Sequence, residues 1–86
     1  MDATTFANRL FGGKTNCVVY SNGTNEGLVS VWMHGSSIVL TWEECPKGEQ
    51  YDESTYTRDE RHVFSTLDEL TAFLSERNLS MESFAP

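Results

Sequence analysis

Apolar residues recur along the chain with two different periods, and each change of period marks the end of an element. Near the start, Phe6 and Leu10 stand four apart, as do Ala3 and Ala7, which predicts a helix over residues 3–11 with one apolar face. Asp2 or a neighbouring threonine supplies its cap, and Gly12-Gly13 stops it. From residue 16 the pattern becomes alternating. Residues 16–21 read as a strand, followed by a turn from Asn22-Gly23 to Gly27. Residues 28–34 form a second strand, with Val29, Val31 and Met33 on one face and Leu28, Ser30, Trp32 and His34 on the other. Gly35-Ser36 makes the next turn. A third strand over 37–43 places Ile38, Leu40 and Trp42 opposite Val39 and Thr41. Strands joined by such short turns form an antiparallel meander.

Residues 44–60 break the pattern. They are polar, contain Pro46 and Gly48, and read as a long loop, with a fourth strand entering near Tyr56 or confined to residues 61–64. Thr66 followed by Glu69 is a capping box, and it starts a helix that runs to about Arg77 with Leu67, Leu70, Phe73 and Leu74 as its buried stripe. Asn78 ends it, and Leu79, Met81 and Phe84 fold back as a final turn. The expected architecture is α+β: an N-terminal helix, a three- to four-stranded antiparallel meander sheet and a C-terminal helix, in one domain spanning 1–86.

Length limits what such a domain can hold. With 86 residues the chain has one modest core and little spare interior for a deep cleft. Thirteen acids against six bases give a formal charge of −7, which opposes direct binding to nucleic acid and to anionic membranes. It favours a protein partner with a basic surface. No basic, apolar export segment and no run of membrane-spanning length is visible, so a cytoplasmic location with Cys17 and Cys45 as reduced thiols is expected.

No residue set names a chemistry. Gly12-Gly13-Lys14-Thr15 resembles the end of a phosphate-binding loop, but Asn8 stands where that loop needs its first glycine, and a helix precedes it instead of a strand. Among Cys17, His34, Cys45 and His62 no two are closer than eleven positions, unlike the paired ligands of structural zinc sites. A Cys45–His62 nucleophile pair would need a third, orienting group, and nothing in the sequence supplies one. No enzyme activity, cofactor or metal is therefore expected.

Two features point to binding. The segment from Glu43 to Glu60 holds seven acids (Glu43, Glu44, Glu49, Asp52, Glu53, Asp59, Glu60) against Lys47 and Arg58, with Tyr51 and Tyr56 interleaved. Carboxylates spaced between aromatics imitate phosphates and bases for a cationic cleft, and Glu49, Asp52, Glu53 and Asp59 are expected to matter most; a solvated loop has the same composition. The second feature is Trp32. If both helices cover the Val29 face, the opposite face shows Leu28, Trp32, His34 and Val39, joined by Tyr20 or Cys17, and suits a partner or a second copy. If each face takes one helix, both are core.

Tyr51-Asp52-Glu53-Ser54-Thr55 resembles a segment of the phage-encoded uracil-DNA glycosylase inhibitors, small acidic DNA mimics. The resemblance covers these five residues, and the Glu-Ser-Ile segment with which that family engages its enzyme has no counterpart here. In size, acidity and compact form the chain is also similar to phage and mobile-element inhibitors, including anti-CRISPR proteins. The function expected is a small inhibitor or regulator on a basic face of a nucleic-acid-processing complex. The alternative is an accessory subunit or homodimer docking through an exposed sheet face.

Overall fold

The computed structural model describes residues 1–49 and 51–86. Helix α1 spans Ala3–Phe11, strands β1 to β4 span Asn16–Asn22, Asn25–His34, Ser37–Pro46 and Arg58–Phe64, and helix α2 spans Leu67–Glu76. The strands lie in the order β1-β2-β3-β4 and every pair is antiparallel, so the sheet is a four-stranded meander.

Local chemistry sets the boundaries. The Asp2 carboxylate accepts the Thr5 amide at 2.7 Å and caps α1. At the other end the amides of Gly13 and Lys14 donate to the carbonyls of Leu10 and Arg9, with Gly13 at φ 85°, which closes the helix in a Schellman motif. Thr66 Oγ1 accepts the Glu69 amide at 3.2 Å to open α2. Asn78, at φ 59°, closes it in the same manner as Gly13: its amide reaches Ser75 and that of Leu79 reaches Leu74. Here asparagine takes the left-handed position that glycine takes after α1.

The first hairpin is tighter than the glycine pattern suggests, and the second turns at Gly35-Ser36 as expected. Asn22 pairs with Asn25 and His34 with Ser37, leaving two-residue loops whose first residues, Gly23 and Gly35, have φ of 66° and 61°. The turn expected to extend to Gly27 is therefore over by residue 25, and Gly27 lies inside β2. It is tolerated there because the Tyr20 ring, from the paired position on β1, lies across it. A Cβ at position 27 would overlap that ring. Gly27→Ala should cost about 1–3 kcal/mol in a denaturant titration, the usual cost of overpacking.

The largest departure concerns residues 44–60. Strand β3 continues through Cys45 to Pro46, and β4 begins at Arg58, with Glu43 opposite Asp59 and Glu44 opposite Arg58. The loop shrinks to residues 47–57; Gln50, part of the expected loop, lies outside the described residues. Charged residues hide these strand ends from a hydrophobicity pattern because β4 is an edge strand with its charge on display.

Both helices pack on one face. Phe6 and Leu10 of α1, Leu70 and Leu74 of α2, and Phe84 meet Val29, Val31, Ile38, Leu40 and Trp42 in one buried cluster. Phe84 folds back against Phe6 with ring centroids 5.2 Å apart. The buried Asn16 side chain is satisfied at this junction, accepting from Arg9 Nε at 2.8 Å and donating to the Phe6 carbonyl at 3.1 Å. Neither α1 nor α2 covers the other face of the sheet. Among the described residues, no helix is long and apolar enough to cross a membrane.

Candidate functional site

Strand alternation divides the acid-rich segment into two sets. Residues 44 and 60 share the helix-covered face with Trp42 and Leu40, while residues 43 and 59 share the open face with Val39 and Thr41. The two sets have opposite surroundings.

On the helix side the acids are partnered. Tyr20 donates its hydroxyl hydrogen to Glu44 Oε1 at 2.5 Å and accepts from Trp42 Nε1 at 2.8 Å, and Thr57 Oγ1 donates to Glu44 Oε2 at 3.2 Å. Arg58 Nε lies 2.7 Å from Glu60 Oε2, and His62 Nε2 lies 2.9 Å from Glu60 Oε1. The Arg58 guanidinium sits 4.2 Å from the Trp42 ring centroid. Glu44 and Glu60, both expected to face a partner, make these contacts within the sheet.

The Tyr20 hydrogen bond, with help from Thr57 and Arg58, holds the Glu44 carboxyl below its ordinary pKa of 4.5. Burial and the Glu44 hydrogen bond push the Tyr20 phenol up, which agrees with one shared proton on the tyrosine. A folded-state pKa below the unfolded value stabilises the fold above the unfolded pKa, and that contribution is lost as pH falls towards the folded one. The stability gap between the parent and Glu44→Gln should therefore narrow as pH falls below about 4.5. Urea midpoints measured across that range check this; a gap that widens on acidification contradicts it.

On the open side the acids lack ion pairs among the described residues. Glu43 and Asp59 are directly opposite across β3 and β4, and among the described residues neither has an ion-pair partner. Like charges in that position destabilise a sheet. Glu26 joins them from β2, opposite Cys45, and among the described residues its carboxylate accepts one long hydrogen bond, from the Gly48 amide at 3.4 Å. Glu26 was hidden in the sequence because it reads as part of a turn. The signal that marks it is the alternation Glu26, Leu28, Ser30, Trp32 once β2 is extended by three residues.

Beside these acids lies a shallow groove of about 280 Å³, lined by Val19, Leu28, Cys45, Tyr56, Glu26 and Glu43 with the Gly27 backbone. Burial pushes the Cys45 thiol up, and the negative field of Glu26, Glu49, Glu43 and Glu44 adds to the effect, so it stays protonated and a poor nucleophile. Burial and the Glu43 carboxylate raise the Tyr56 phenol likewise. At the far end of the face Trp32 pairs with Val39 and Val39 with Val63, an apolar trio. Arg61, opposite Thr41, lies on the open face as well.

The remaining expected site residues divide by role. Asp52 caps the 3₁₀ turn Glu53–Thr55, accepting from the Ser54 amide at 3.1 Å and the Ser54 hydroxyl at 2.6 Å. Its carboxylate is spent locally. Glu49 and Glu53 are exposed, and Tyr51 is 94% exposed. Trp32 is half-buried on the open face, where Leu28, His34, Val39 and Cys17 also lie; Tyr20, considered for that face, belongs to the other. Cys45 and His62 are on opposite faces of the sheet, so they do not form a pair. No family model matches the chain, and neither a curated protein nor a solved structure matches it.

Proposed function

We propose that the chain is a non-catalytic protein-binding regulator that lays the open face of its sheet on a basic surface of a partner, in the role of an inhibitor of a nucleic-acid-processing complex. The observation that carries this reading is the pair Glu43 and Asp59, without an ion pair among the described residues and set directly opposite each other beside a groove on the sheet face that α1 and α2 leave uncovered. A solvated surface gains nothing from like charges in register. A surface that meets cations gains attraction and faster encounter from them. Glu26, Glu43 and Asp59 form the charged part of the interface, and Trp32, Val39 and Val63 its apolar part. The exposed loop acids Glu49 and Glu53 extend the negative field around it.

The test is capture from the source cell at low and high ionic strength, followed by identification of what is retained. Expected is a basic, nucleic-acid-associated protein that is held at low salt, released as salt rises, and displaced by nucleic acid. Retention that is indifferent to salt, and lost in Trp32→Ala but not on replacing Glu26, Glu43 and Asp59 by their amides, would favour apolar docking of an accessory subunit or second copy. That alternative rests on the Trp32, Val39, Val63 trio alone.

A further inference from the structure

The two edges of the sheet are unlike. β4 displays Arg58, Asp59, Glu60 and Arg61, a run of charge that keeps other strands away. β1, Asn-Cys-Val-Val-Tyr-Ser-Asn, carries no charge and no proline. One residue of its outer edge is covered: Cys17 exchanges two hydrogen bonds with Ala85, at 2.9 and 2.7 Å. Those bonds fix which backbone groups point outward. In a strand the amide and carbonyl of alternate residues face the same side, so those of Val19 and Ser21 face outward with Cys17. Among the described residues neither has a backbone partner beyond the sheet, and the Val19 side chain is 74% exposed.

We infer that the β1 edge at Val19 and Ser21 accepts an extended strand from the partner, and that this strand sends a lysine or arginine side chain over Ser21 to Glu26. The inference rests on the open-face reading above and adds the form of the bound segment. The position follows from register. Ser21 is opposite Glu26, and Val19 is opposite Leu28. A strand added outside β1 lies about 4.8 Å further out and points alternate side chains onto the open face. Beside Val19 such a side chain meets the groove wall of Val19 and Leu28, which takes apolar atoms. Beside Ser21 it crosses a small, exposed residue, and only a long side chain reaches the next one in line. That next residue is Glu26, whose carboxylate holds, among the described residues, the weak Gly48 contact alone. The groove contains two carboxylates, and no residue lining it is cationic. Charge complementarity therefore selects lysine or arginine, whose aliphatic stem also suits the wall. Ladder hydrogen bonds supply the hold and the alternate side chains the choice of segment.

The experiment titrates the isotopically labelled protein, at low salt, with a capped peptide that carries valine and arginine two positions apart among threonines, so that both side chains reach the same face of the sheet. The expected result is that the Val19 and Ser21 amides shift and exchange with solvent about tenfold more slowly, while the Cys17 amide, already bonded to Ala85, changes little. Replacing arginine by citrulline, or Glu26 by Gln, should weaken binding by about tenfold, as loss of one charge-assisted contact does. Ser21→Pro removes one outward amide and leaves the β1–β2 ladder intact, and it should weaken the peptide to a similar degree while the spectrum of the sheet core persists. Peptide binding without protection of Val19 and Ser21 would overturn strand addition but leave the open-face reading standing. Protection that is indifferent to citrulline and to Glu26→Gln would overturn the choice of a cation. If the peptide protects β1 yet the natural partner ignores replacement of Glu26, Glu43 and Asp59, the open-face reading falls instead.

Discussion

Leu70→Ala will destabilise the protein by about 2–5 kcal/mol, the range for a buried leucine whose removal leaves a cavity. Leu70 is fully buried at the centre of α2, in the cluster that contains Ile38, Leu40 and Leu74. A domain of this length has a total stability on the order of 5–15 kcal/mol, so one substitution removes a large share of it. Urea titration measures the loss. Val19→Ala, on the open face, should cost less than about 1 kcal/mol, the span of intrinsic strand preference. The contrast between the two depends on which face the helices cover: equal losses at both positions would mean that the Val19 face is also packed.

Replacing Glu26, Glu43 and Asp59 together by Gln, Gln and Asn should slow association with the partner by roughly 10- to 1,000-fold at low salt, the range over which electrostatic steering acts. Dissociation should change less, because the apolar trio around Trp32 is untouched. Surface-based kinetics with the captured partner would measure both rates. The same replacement at Glu49, Asp52 and Glu53 should slow association less, since Glu49 and Glu53 lie on the loop around the face and Asp52 is engaged in capping. An unchanged association rate in the open-face variant would remove the electrostatic reading.

Much of the fold is legible in the sequence because its signals are local. The four-residue spacing of Phe6 and Leu10, the glycines after α1 and the Thr66–Glu69 cap each act within one turn of chain, and the elements they predict are present. Strand ends were harder. Glu43 to Pro46 and Arg58 to Glu60 are strand, yet their polarity resembles that of a loop, and pairing across β3 and β4 is not a local property. The same missing register concealed the division of the site. A run of acids reads as one patch, but alternation sends Glu44 and Glu60 to Tyr20, Arg58 and His62, and places Glu43 and Asp59 on the open face. Composition located the segment; only the sheet shows which of its carboxylates are free.

That division has a thermodynamic signature that needs no partner. Denaturant unfolding of Glu43→Gln/Asp59→Asn and of Glu44→Gln/Glu60→Gln should give shifts of opposite sign. Relief of the cross-strand repulsion should stabilise the first variant by about 0.2–1 kcal/mol, with the gain shrinking as salt rises. The second loses the charge-assisted bonds from Tyr20, Thr57, Arg58 and His62 and should be less stable than the parent. Destabilisation of the Glu43/Asp59 variant would contradict the claim that these two carboxylates are held apart from the fold's own interactions and kept for a partner.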